Sequence, residues 1–153
     1  METLDKQLQM HTDWKNVDID KVKTLLETSF GAKLRQDYFD DKVSTILLEP
    51  SYHAIAVTRT LDEGLVYIDK LAVMPQASYQ GLGTHLLNCA GIPKFWRCAC
   101  HRTPSIQWYS KKLAQSHHPT LHKDTGIWTV FGIGNFNHQD AIQYAHQRIS
   151  DFY

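Results

Sequence analysis

From Tyr67 to Leu87 the chain reads YIDKLAVMPQASYQGLGTHLL. A β-rich apolar run carries two adjacent charges, Asp69 and Lys70, then gives way to a glycine-spaced turn and a helix-forming stretch. Strand, tight turn and helix in that order confine the chain to folds in which helices cover a sheet. Strand alternation puts Tyr67, Asp69 and Leu71 on one face and Ile68, Lys70 and Ala72 on the other. If both faces are covered, each charge needs a partner or a cavity, because an unpaired buried charge is expensive.

The turn points to an anion. Gly81 and Gly83 permit positive φ and let a ligand approach the main chain closely. The amides from Gln80 to Thr84 then lie at a helix N-terminus, where the dipole and unsatisfied N–H groups favour negative charge. No Gly-Lys-Ser/Thr follows, so this is not a nucleotide P-loop, and the third glycine of a dinucleotide fingerprint is missing.

The rest of the chain supplies the sheet and its cover. LQMHT reads as a short first strand. Asp18 or Asp20 caps a helix with Val22, Leu25, Leu26, Ser29 and Phe30 at helical spacing, ended by Gly31. KLRQDYFDD reads as a short helix with Leu34, Tyr38 and Phe39 inward. STILLE and HAIAVTRT form an antiparallel pair across Pro50 and Ser51. GLGTHLLNCAG is a helix with Leu82, Leu86, Leu87 and Ala90 on one side, and KFWRCAC is a strand. TPSIQWYSKKLAQ is a helix with Thr103 as cap and Pro104 at its first position. GIWTVFGIG is a late strand, and NHQDAIQYAHQRI a closing helix whose core face holds Ala141, Ile142, Ala145 and Ile149. The stretch with His117, His118 and His122 reads as a solvated loop. The order β-α-α-β-β-β-α-β-α-β-α describes a mixed α/β domain with helices on both faces of one sheet.

At 153 residues the chain suits one domain, residues 1–153, with one core. Lysine plus arginine equals aspartate plus glutamate at 16 each, which argues against nucleic acid or an anionic membrane as partner. No apolar run approaches the roughly 18 residues of a membrane helix. METLDKQLQM lacks the features of a signal or transit peptide, so a cytoplasmic location is expected. Cys89, Cys98 and Cys100 do not form a disulfide framework. With no Cys-x2-Cys spacing to accompany the histidines, no metal site is expected.

SYQGLGTHL behind YIDKLAV resembles the acetyl-CoA motif of the GNAT superfamily of N-acetyltransferases, with Gly81 and Gly83 on the two small positions of its pyrophosphate loop. Ser78 stands where that loop has glutamine or arginine. YIDKLAV, KFWRCAC, QWYSKK, GIWTVFGIG and LLETSFGAKLRQDYF together resemble the acetyltransferase domain of vertebrate-type N-acetylglutamate synthases, from about His11 to Phe152. The kinase-like domain that usually precedes it is not expected here.

The resemblance implies a GNAT fold: a mixed, mostly antiparallel sheet with a splayed strand pair. Acetyl-CoA is the implied cosubstrate, held by Leu71, Ala72 and Val73 along the strand and by Tyr79, Gln80, Gly81, Leu82, Gly83 and Thr84 at the turn. Tyr109 falls on the tyrosine that protonates the departing CoA thiolate. Lys70 falls on the lysine near the acceptor's carboxylate, and Arg97 on the arginine of Phe-Trp-Arg in the same region. Ala99 replaces a second arginine, and Arg102 is the candidate to supply its charge. The implied activity is acetyl transfer to the α-amine of an amino acid, L-glutamate above all, as in arginine biosynthesis. A different amine acceptor, or a degenerate CoA-binding domain, are the alternatives. The implied partners are small molecules, and homo-oligomerisation is left open.

Overall fold

The computed structural model describes residues 7–153, and of Ser78, Tyr79 and Gln80 it describes the main chain only. The expectations placed on the side chains of Tyr79 and Gln80 therefore lie outside the described residues. Among the described residues seven strands and four α-helices follow in the order β1 (Gln9–His11), α1 (Ile19–Phe30), β2 (Thr45–Leu48), β3 (Ala54–Thr60), β4 (Val66–Val73), α2 (Leu82–Cys89), β5 (Lys94–Ala99), α3 (Thr103–Ala114), β6 (Thr120–Asp124), β7 (Trp128–Ile133) and α4 (His138–Gln147). The strands hydrogen-bond in the order β1-β2-β3-β4-β5-β7-β6. β1–β2, β2–β3, β5–β7 and β6–β7 are antiparallel. β4 and β5 are parallel, through Val66 opposite Lys94 and Tyr67 opposite Phe95. Helix α2 makes the crossover that a parallel pair demands. The mixed α/β class with a mostly antiparallel sheet is as the sequence predicts.

Two compact units divide the chain. The first comprises the residues up to Thr60, Ile68–Gly91 and Ser150–Tyr153; the second comprises Leu61–Tyr67 and Ile92–Ile149. In the first, strand alternation separates two cores. Ile55 and Val57 of β3 join Ile46, Leu48, Ala72 and the α1 residues Val22, Leu25 and Leu26. Ala54 and Ala56, one residue out of phase, join Leu47 and the α2 residues Leu82 and Leu86, with Leu71 and Val73 of β4 against them. Helix α1 starts at Asp18, whose carboxylate accepts the Lys21 N–H, and stops at Gly31 in the left-handed region.

In the second unit, Ala141 and Ala145 of α4 pack with Tyr67, Phe95, Leu121 and Val130. The ring of Tyr109 on α3 lies 5.2 Å from that of Trp96 and 5.3 Å from that of Phe131. Helices thus cover both faces of the strands within each unit.

Four local expectations are corrected. Thr120–Asp124 is strand β6, not loop, because β7 supplies its ladder although only Leu121 of its five residues is buried. Helix α4 ends at Gln147, so Ile149 lies beyond it and is exposed. The cap position of α3 is Arg102, one residue before Thr103, and no side chain caps it. KLRQDYFDD forms only a 3₁₀ turn, Gln36–Asp40, with Leu34 bridged to Phe152. Among the described residues no helix is long and apolar enough to cross a membrane.

Candidate active site

The turn after β4 is built as its glycines require. Pro75–Gln80 makes a 3₁₀ turn, and Gly81 adopts φ 72° and ψ 14°, a conformation few L-residues accept. Helix α2 starts on the next residue, its first bond running from the His85 N–H to the Gly81 carbonyl at 3.1 Å. Leu82, Gly83 and Thr84 precede that bond, so the helix offers their amides no acceptor. Leu82 is buried and anchors the turn to the α2 core, while the main chain carries the donors.

Just upstream on β4 the charges are paired. The side chain of Asp69 is wholly buried, and one carboxylate oxygen takes Arg59 Nε at 2.9 Å. Its other oxygen lies 3.3 Å from Lys70 Nζ, and Lys70 Nζ lies 2.6 Å from Asp151. The Asp69 carbonyl accepts the Tyr38 hydroxyl at 2.6 Å. Strict alternation would send Asp69 and Lys70 to opposite faces; the structure ties both into one ion cluster. Arg59 also donates to the Lys42 carbonyl and approaches Asp41 at 3.9 Å. Burial raises the Asp151 carboxyl above the usual carboxylate range against the pull of Lys70, and Asp69 adds to the rise.

Arg59 and Asp151 have no counterpart in the sequence reading. Arg59 closes the apolar run of β3 and carried a faint signal, since a charge at the end of a buried strand wants an opposite one. Asp151 carried none: it arrives with the last four residues. The Arg35 N–H donates to the Asp151 carbonyl at 2.8 Å and the Tyr153 N–H to that of Lys33 at 2.9 Å. Phe152 packs 4.9 Å from the Phe30 ring.

The second unit holds Tyr109, Arg97 and Arg102. Tyr109 is partly buried among Trp96, Trp108 and Phe131. Burial raises its phenol well above a tyrosine's ordinary range; the neighbouring Cys98 adds to this and Arg102 opposes it. The phenol therefore keeps its proton through neutral and alkaline pH, as a general acid must. Arg97 is buried and donates to the carbonyls of Ala145 at 2.7 Å, Arg148 at 2.5 Å and Ile149 at 2.7 Å. Its guanidinium also lies 3.9 Å from the Trp128 ring centre. It closes the C-terminal end of α4, whose last carbonyls lack helical donors. Arg102, half-buried, points Nη2 at the Ser105 hydroxyl at 3.5 Å. The structure thus gathers Lys70 and Leu71–Val73 with the turn in one unit, and Tyr109, Arg97 and Arg102 in the other. Among the described residues no three His, Cys, Asp or Glu side chains come together as a metal site.

Comparison with known proteins adds the family context. A family model described as NAT, the N-acetyltransferase of N-acetylglutamate synthase, matches residues 9–150. An acetylglutamate kinase of Xanthomonas campestris pv. campestris is 31% identical over 139 residues, which is 82% of this chain and 30% of that protein. The mitochondrial N-acetylglutamate synthase of Danio rerio is 28% identical over 136 residues, 83% of this chain and 24% of that one. The chain therefore spans less than a third of the length of these relatives. Arabidopsis thaliana NAA60, solved in complex with acetyl-CoA, superposes with a TM-score of 0.55 at 15% identity, over 86% of this chain and 100% of that one. At that identity the likeness is one of fold.

Proposed function

Because this chain belongs to the family of N-acetyltransferase domains of N-acetylglutamate synthases, we propose that it transfers the acetyl group of acetyl-CoA to the α-amine of an amino acid, with L-glutamate the favoured acceptor. The observation that carries this reading is the left-handed Gly81 opening α2 directly behind the strand that bears Lys70. The amides of Leu82, Gly83 and Thr84 would hold the pyrophosphate, with Gln80 and Tyr79 before them. The main chain of Leu71, Ala72 and Val73 would receive the pantetheine arm and the thioester. Main-chain donors there favour the tetrahedral oxyanion over the planar carbonyl, which lowers the barrier rather than merely tightening binding.

The amine nitrogen attacks the thioester carbon, the carbon–sulfur bond breaks and the thiolate takes the phenolic proton of Tyr109, while the proton shed by the nitrogen passes to water, from which the phenolate regains its own. Lys70 meets an acceptor carboxylate, and Arg102 supplies the second cation that Ala99 lacks. Arg97, given its three carbonyl partners, serves the acceptor side by holding the end of α4. A single domain over residues 1–153, a role in arginine biosynthesis and a cytoplasmic location accompany this reading.

The test is thiol release from acetyl-CoA against a panel of amino acids. Turnover with glutamate supports the reading, and turnover only with another amine moves the acceptor. Acetyl-CoA binding without turnover favours a degenerate CoA-binding domain, the alternative to which Ala99 lends weight. Tyr109→Phe should lower kcat at least tenfold, about 1.4 kcal/mol, while acetyl-CoA affinity holds. Since the phenol is raised, the wild-type rate should show no loss from Tyr109 ionisation up to about pH 10. An unchanged kcat in the variant would remove Tyr109 from the chemistry.

A further inference from the structure

The Lys70 ammonium, assigned above to an acceptor carboxylate, already has a carboxylate on it. Lys70 Nζ carries three N–H donors. It stands 2.6 Å from Asp151 and 3.3 Å from Asp69, and its side chain keeps 12% of its exposure. The two carboxylates are not equivalent. Asp69 sits within β4, is wholly buried, and is shared with Arg59 at 2.9 Å. Asp151 has 11% of its side chain exposed and belongs to the terminal segment Ser150–Tyr153. Main-chain bonds from Arg35 to Asp151 and from Tyr153 to Lys33 hold that segment, and neither involves the Asp151 carboxylate.

Charge counting shows what an acceptor would meet. Arg59 and Lys70 balance Asp69 and Asp151, so these four largely buried side chains sum to zero, with the exposed Asp41 at the rim 3.9 Å from Arg59. A further carboxylate brought to Lys70 would set three anions against two cations among these largely buried side chains, where like charges a few ångströms apart repel strongly. Neutrality is kept only if one of the resident carboxylates leaves. Asp69 cannot leave without stripping the buried Arg59 of its closest carboxylate. Asp151 can turn toward water with its main-chain bonds intact. Its raised carboxyl points the same way, since the ionised form is less well solvated here than outside.

We propose that Asp151 is a specificity-determining residue, a tethered carboxylate that competes with the acceptor's carboxylate for Lys70. The proposal rests on the reading that Lys70 receives the acceptor. On this account the terminal segment sets the site against weakly held carboxylate acceptors, and an acceptor binds there by displacing Asp151.

The experiment measures KM and kcat for L-glutamate in the full chain and in Asp151→Asn, which preserves shape and the main-chain bond. Both are repeated in a Lys70→Ala background, with thermal unfolding as the check on folding and Asp151→Ser as a second variant. Asp151→Asn is expected to lower the glutamate KM about five- to tenfold, with a smaller change in kcat, and to bring no gain when Lys70 is already alanine. An unchanged or raised KM in folded Asp151→Asn and Asp151→Ser overturns the proposal while leaving the acetyltransferase reading intact. A gain that survives in the Lys70→Ala background also overturns it, because the effect would then not act through the ammonium. If no amino acid is acetylated by either the parent or the variants, the acceptor reading itself fails and the proposal falls with it.

Discussion

The two compact units each bury cations, and they answer them differently. In the first, Arg59 and Lys70 are met by the side chains of Asp69 and Asp151. In the second, Arg97 is met by the main-chain carbonyls of Ala145, Arg148 and Ile149 and by the face of Trp128. Carbonyls at a helix end belong to the backbone and move only if the helix does. A side-chain carboxylate can rotate away and be replaced by another anion. The difference separates a cation that holds architecture from one that can trade partners, and only the second kind suits a binding site.

Substitutions can break this contrast, beginning with the largest effect. Asp69→Ala should cost about 3–5 kcal/mol of stability, read by urea unfolding, because it leaves Arg59 buried without its closest carboxylate. A loss under 1 kcal/mol would mean that Asp41 and the Lys42 carbonyl suffice for Arg59. Arg97→Ala should cost about 3 kcal/mol, since three charge-assisted hydrogen bonds go at once and their energies do not add. Arg97→Lys should restore less than half of it, because an ammonium cannot reproduce the planar fork or lie flat on Trp128. Full restoration would show that charge alone holds the end of α4.

Lys70→Ala sharpens the other side of the contrast. It should raise the acceptor KM by more than tenfold, about 1.4 kcal/mol, with acetyl-CoA affinity unaltered. If only stability falls, Lys70 is as architectural as Arg97. The smallest effects concern caps, one in each unit. Asp18 accepts from Lys21 N–H and Asn137 from Asp140 N–H. Replacing either with alanine should cost about 1 kcal/mol, measured as a fall in Tm, with KM and kcat unmoved.

Much of the fold could be read directly, and for local reasons. The α1 boundaries followed from a cap at Asp18 or Asp20, of which the structure uses Asp18, and from Gly31, all acting within a turn of themselves. The β2–β3 pair and the β4–turn–α2 unit followed from β-rich runs broken by proline and glycine. Strand β6 escaped because a polar stretch tells nothing when one face is open: TLHKD has a single buried residue, Leu121, and becomes a strand only because β7 lies beside it. Ile149 escaped because its spacing continues the helix, whereas the Ala145 carbonyl that its N–H would need accepts from Arg97.

The same division runs through the candidate site. Composition and order by themselves determined that a strand with adjacent charges feeds a glycine turn and a helix, because conformational preference and hydrophobic spacing act between near neighbours. The requirement that Asp69 and Lys70 have partners followed too, from the price of burying charge. Which groups answer them was decided only in three dimensions. Arg59 reaches Asp69 across neighbouring strands, and Asp151 reaches Lys70 from the last residues of the chain. Electrostatic pairing depends on distance in space, and a carboxylate far away in sequence carries no mark of the ammonium it will meet.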